Sequence, residues 1–113
     1  MKQEAKKKKI YLSLPISGYD LDDRRATALA KRKELEEEGF LVENPLENGL
    51  PVDAGTHAHM KRDFEMLLKC DAIYMMEGWL RSAGCKVEFD VATASGLDVY
   101  MSVSDMPGLI RFQ

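Results

Sequence analysis

The sequence predicts an α/β domain built on a parallel sheet, and three observations carry that prediction. Short runs of β-favouring residues alternate along the chain with stretches of helical spacing. Residues 10–44 read as a strand–helix–strand unit, a connection that places its two strands parallel with a right-handed crossover. Over residues 71–95 a mostly apolar run of strand length stops, the chain turns through Gly78, and a proline-free helical stretch begins.

Taken in order, four consecutive lysines at 6–9 precede the first strand, and residues 1–9 read as a solvated tail ahead of one domain at 10–113. The alternative for the lysines is a binding patch. The apolar run behind them, from Ile10 to Ile16, is short and has no small-residue cleavage site, which argues against a signal peptide. Residues 10–14 form the first strand, broken by Pro15, and Gly18 can take the positive φ of a turn. A single glycine there is a weak phosphate-loop signal. The next helix covers 21–38, with Asp20, Asp22 and Asp23 at its positive end, Ala28, Leu29 and Leu35 inside, and Gly39 as its C′ residue. Residues 40–44 are the second strand, stopped by Pro45, and 46–55 form an aperiodic loop of the kind that covers sites. A helix at 56–69 carries Met60, Phe64, Leu67 and Leu68 on one face. After the strand at 71–76 and the helix at 84–95, residues 97–103 add a strand and 109–112 a further candidate, for four or five strands in all.

One domain suits 113 residues, and 45% hydrophobic with 31% charged content is that of a soluble globular protein. A net charge of −3 argues against a nucleic-acid surface, and the apolar runs are too short for a membrane span. Cys70 and Cys85 lie on different elements without Cys-x-x-Cys spacing, which fits reduced thiols in a cytoplasmic protein. No metal site is indicated: His57 and His59 lack a nearby cysteine and read as polar residues of a helix start.

Two carboxylates fall on inner helix faces. Glu88 shares a stripe with Gly84, Val91, Ala92 and Ser95, about one turn into a helix that follows a strand's C-terminal end. Asp63 lies between Met60 and Leu67, with His59 four residues earlier and in reach. Such a pair in a partly dry cleft is the apparatus for cleaving a glycosidic bond: one group stays ionised as nucleophile and the other gives a proton. The hydroxyl of Tyr11 on the neighbouring strand is placed to orient the nucleophile. Ser82 reads either as an ordinary N-cap or as an anion site beside free N–H groups, and Glu88 either as chemistry or as a marginal charge reaching solvent. Trp79 either stacks on a base or packs against the loop after its strand.

Ile10-Tyr11-Leu12-Ser13 before a glycine-containing turn, Asp63 eight residues ahead of Asp71, and Ser82-x-Gly84-x-x-x-Glu88 together resemble the nucleoside 2-deoxyribosyltransferase superfamily. Within it, serine six residues before the glutamate is more similar to the 2′-deoxynucleoside 5′-phosphate N-hydrolases than to the transferases, which have aspartate there. The resemblance implies a flavodoxin-like, Rossmann-like three-layer fold. It implies a covalent glycosyl intermediate on Glu88, Asp63 as general acid, and Tyr11 bonded to the nucleophile. Ile16, Ser17, Gly18, Ser82 and Gly84 would surround the 5′ end of a nucleoside or nucleotide. It further implies no metal or organic cofactor, and a homodimer or larger homo-oligomer. Leu14 departs from the pattern, standing where many relatives have glycine. The rival reading is a non-catalytic nucleotide-binding module with the same fold.

Overall fold

The structure, a computed structural model, describes residues 7–106. Strand β1 (Lys9–Ser13) leads to helix α1 (Leu21–Glu37) and strand β2 (Leu41–Glu43). Two 3-10 turns, Pro45–Glu47 and Val52–Ala54, precede α2 (Thr56–Leu68) and β3 (Ala72–Met75). A third such turn (Trp79–Arg81), helix α3 (Ala83–Ala94), β4 (Asp98–Tyr100) and a fourth turn (Val103–Asp105) follow. Every strand pairing is parallel and the order is β2-β1-β3-β4, the order with which flavodoxin-like sheets begin.

Strand alternation sorts the core into two faces. Ile10 and Leu12 of β1 and Tyr74 of β3 meet Ala28 and Leu35 of α1. On the other face, Tyr11, Ile73 and Met75 meet Met66 and Leu67 of α2 and Cys85 and Ala92 of α3. The result is three layers. Ile10, Leu12 and Leu35 are fully buried, and each such side chain contributes about 1.5–3 kcal/mol.

The helix ends follow their sequence signals. Asp20 caps α1 by accepting from the Asp23 amide at 2.9 Å, with Asp22 and Asp23 against the positive end of the dipole. At the other end Gly39 takes φ 100°, its amide bonds Glu36 O at 3.0 Å, and the Phe40 amide reaches Leu35 O at 3.1 Å. That left-handed step suits glycine, and it turns Phe40 back into the core against Leu35.

Several expectations are corrected. Leu29 is 58% exposed and Leu68 54% exposed, because the inner faces of α1 and α2 are set by Leu35 and by Met66 with Leu67. The strand expected at 97–103 is only Asp98–Tyr100: the Ser102 hydroxyl donates to Asp105 Oδ2 at 2.8 Å and the chain coils into a 3-10 turn. The loop expected at 46–55 is not aperiodic throughout, since the Asn44 side chain accepts from the Leu46 amide at 3.0 Å and starts the turn at Pro45. The candidate strand at 109–112 lies outside the described residues. No helix among the described residues is long and apolar enough to cross a membrane.

This topology places the site. From β1 the chain goes outward to β2 on one side and then back across to β3 on the other. The crevice outside the C-terminal ends of β1 and β3 is therefore the switch point at which open parallel sheets bind ligands.

Candidate active site

Glu88 projects from α3 toward β1 and is half-buried. The Tyr11 hydroxyl donates to its Oε2 at 2.6 Å and the Ser13 hydroxyl donates to its Oε1 at 2.7 Å. Tyr11 and Ser13 are two residues apart, so the strand's period of two puts both on the face that α3 covers, and both are fully buried. Burial pushes the Glu88 carboxyl up to about 7; the two hydroxyl bonds oppose this and the charge of Asp63 adds to it. Burial, then the charges of Glu88 and Asp63, push the Tyr11 phenol well above its ordinary range, which keeps it a hydrogen-bond donor. The stripe around Glu88 keeps the expected Ala92, which is buried, but takes in Cys85, also buried, while Gly84 and Ser95 are exposed. Packing of Cys85 and Ala92 against Tyr11, Ile73 and Met75 sets the rotation of the helix, one step round from the expected stripe.

Asp63 is half-buried on α2, the helix that packs beside α3. Burial raises its carboxyl pKa, and a hydrogen bond from Asn48 with the nearby charges of His59 and Arg62 opposes the rise. The bond expected between His59 and Asp63 is replaced by a bridge: Asn48 Nδ2 lies 2.9 Å from Asp63 Oδ1 and 3.0 Å from His59 Nδ1. The other His59 nitrogen lies 3.2 Å from Val52 O, so both ring nitrogens have partners. Among the described residues no group of three or more histidine, cysteine, aspartate or glutamate side chains forms a metal cradle. Cys70 and Cys85 are free and buried; burial pushes the Cys70 thiol up to about 12 and raises that of Cys85 as well.

The residues expected at the 5′ end sit on two turns that meet. A Cβ built on Gly78 would lie 3.5 Å from Pro15 Cγ, from the Tyr19 hydroxyl and from Arg81 Nη2, so the β1–α1 turn lies against the β3–α3 turn. Ile16 is half-buried against the α1-side core, whereas Ser17 and Gly18 are exposed, Gly18 at φ 84°. Ser82 is the N-cap of α3, its Oγ accepting from the Cys85 amide at 3.2 Å. Gly84 is exposed, and a Cβ there would meet only Ser82 Oγ, at 4.0 Å. Trp79 stacks on Phe89, ring centroids 4.9 Å apart, and packs on the α2–α3 side of the core.

A cavity of about 650 Å³ is walled by Gly78 together with Arg24, Lys31, Tyr74, Trp79 and Arg81. Neither Glu88 nor Asp63 lines it. Reactive groups rather than volume define the candidate site, which is the carboxylate pair with its donors. Sequence reasoning missed Ser13 and Asn48. Ser13 carried a usable signal, its two-residue spacing from Tyr11; Asn48 carried none, because only the folded loop brings it to α2.

The model of a family described as "Domain of unknown function (DUF4406)" matches residues 8–101. A comparison with curated proteins finds no match. Among solved structures, the chain is similar to a 2-deoxyribosyltransferase from the psychrotolerant bacterium Bacillus psychrosaccharolyticus, with a TM-score of 0.62 and 24% identity over 80% of this chain and 69% of that one. That likeness establishes the fold.

Proposed function

The chain belongs to the DUF4406 family, and on that premise we propose that it cleaves the N-glycosidic bond of a 2′-deoxynucleoside or its 5′-monophosphate through a covalent glycosyl intermediate on Glu88. One observation carries the reading: both oxygens of a half-buried carboxylate at the sheet's switch point are held by hydroxyl donors, Tyr11 at 2.6 Å and Ser13 at 2.7 Å.

A carboxylate bonded this way keeps a fixed orientation and retains a lone pair on each oxygen for attack. Burial favours the proton on both carboxyls, and the two hydroxyl bonds oppose it at Glu88. In the proposed working form the pair shares one proton, with Glu88 attacking as the carboxylate and Asp63 giving the proton. In the first step a Glu88 oxygen bonds to C1′ while the C1′–N bond breaks, and the Asp63 proton goes to the departing base. In the second, water or the nitrogen of another base attacks C1′, gives its proton to Asp63, and releases Glu88 as the carboxylate. Ile16, Ser17, Gly18, Ser82 and Gly84 receive the 5′ end, and a neighbouring subunit of a homo-oligomer completes the site. No step calls for a metal or organic cofactor.

The test is incubation with a panel of deoxynucleosides and their 5′-monophosphates, following free base by chromatography. Base release, with a new nucleoside when a second base is present, marks transfer; base release alone marks hydrolysis. A protein that binds these compounds in calorimetry yet releases no base is the non-catalytic nucleotide-binding module instead.

A further inference from the structure

We propose that Asn48 is the positioning residue of the acid, holding Asp63 Oδ1 so that Oδ2 is the oxygen that carries and gives the proton. The proposal rests on the functional reading above and adds to it a residue from the β2–α2 loop.

Each polar group of Asn48 has a defined partner. Its main-chain oxygen accepts from Arg62 Nε at 2.9 Å, which pins the loop to α2. Its side-chain Oδ1 accepts from the Leu50 amide at 3.0 Å, so the two Nδ2 hydrogens point the other way. One goes to Asp63 Oδ1 at 2.9 Å and the other to His59 Nδ1 at 3.0 Å. His59 Nε2 in turn lies 3.2 Å from Val52 O, so the ring is held at both nitrogens. Turning the amide over would set its oxygen against the Asp63 carboxyl and its N–H groups against the Leu50 amide, so the orientation is unique. Asn48 is only 5% exposed, so water does not readily replace the lost donor.

The consequence for the acid is specific. A proton on Oδ1 would face the Asn48 N–H, donor against donor, which leaves Oδ2 as the protonated atom. When Asp63 gives that proton to the departing base, the charge left on the carboxylate meets an N–H already in place. The other groups acting on Asp63 are His59 and Arg62 on its own helix, and the charges of Glu88 on α3 and Tyr11 on β1, which couple to it. Among the described residues, Asn48 is the one that bonds the carboxyl directly.

The experiment uses the full chain with Asn48→Ala and with Asn48→Asp, which keeps the Leu50 contact and removes the donors. Carboxyl NMR should show Asp63 titrating at higher pH in both variants than in the unmutated protein, a readout independent of activity. Turnover should fall roughly tenfold for deoxynucleosides with poorly leaving bases and little for activated ones. The limb of kcat/KM that follows the Asp63 titration should move up in pH. In an Asp63→Asn background the Asn48 substitutions should cause no further loss. If neither variant folds, the unmutated protein decides the matter: the Asn48 side-chain N–H resonances must follow the Asp63 titration. An unmoved Asp63 titration, equal loss on both kinds of substrate, or additive loss in the double variant overturns the proposal. If the unmutated protein releases no base at all, the functional reading fails while the NMR titration still decides the role of Asn48.

Discussion

At the residue scale, the behaviour of Glu88 follows from its surroundings. A carboxyl raised from 4.5 to about 7 binds its proton more tightly in the folded than in the unfolded chain. Its contribution to stability is therefore fully present below about 4.5 and lost as pH rises through about 7. Glu88→Gln removes that dependence. Thermal unfolding across pH should find the variant the more stable protein at pH 8, by up to roughly 3 kcal/mol, with the difference shrinking toward pH 4.5. Parallel curves for the two proteins would mean that Glu88 is not held in a low-dielectric setting. Under the proposed function the same variant loses base release, and kcat/KM of the unmutated protein rises with pH through a limb near 7 as Glu88 ionises. The presence of two inner-face carboxylates was legible from spacing alone. The donors that hold them were half legible: Tyr11 was expected, Ser13 follows from strand alternation, and Asn48 depends on a loop path that local spacing does not encode.

At the scale of elements, the N-terminus of α3 combines a cap with a candidate anion site. Ser82 Oγ accepts from the Cys85 amide and interacts with the Cys85 thiol, and its hydroxyl can turn to donate to a phosphate oxygen. Aspartate caps a helix as well as serine does but repels a phosphate, so substitution separates the two roles. Ser82→Asp should leave the unfolding temperature nearly unchanged and reverse the preference from 5′-monophosphate to nucleoside. Ser82→Ala should cost about 1 kcal/mol of stability by loss of the cap. Calorimetric titration of each ligand into the Glu88→Ala protein, in which nothing is consumed, measures the preference. Equal affinities in the parent and in Ser82→Asp would remove Ser82 from the 5′ subsite. The helix ends were the most legible elements, because the Asp20 and Gly39 signals act within one turn. The inner faces were less so: Leu29 and Leu68 have the residue type of a core position but not the angular place.

At the scale of the whole molecule, backbone pairing among the described residues begins at Lys8. Its carbonyl accepts from the Leu41 amide at 2.9 Å, and the Lys9 amide donates to Asp71 Oδ2 at 2.8 Å. We propose that what precedes is a solvated tail, so removal of residues 1–7 should leave the unfolding temperature within about 2 °C and any turnover unchanged. Removal of 1–9 should lower the unfolding temperature, since it strips pairing from both neighbours of β1. Circular dichroism melts of the two truncations check this, and a large loss in the shorter one would give the lysines a structural role. By itself the sequence determined the α/β class, the alternation of elements, the parallel pairing and the two carboxylates, because propensity, periodicity and caps act over a few residues. Only the tertiary structure decided that β1 lies between β2 and β3, that Tyr11 and Ser13 grip Glu88, and that Asn48 reaches Asp63. Those are contacts between residues far apart in the chain, 77 apart for Tyr11 and Glu88 and 15 for Asn48 and Asp63. They are set by how whole faces pack, and no local pattern records that.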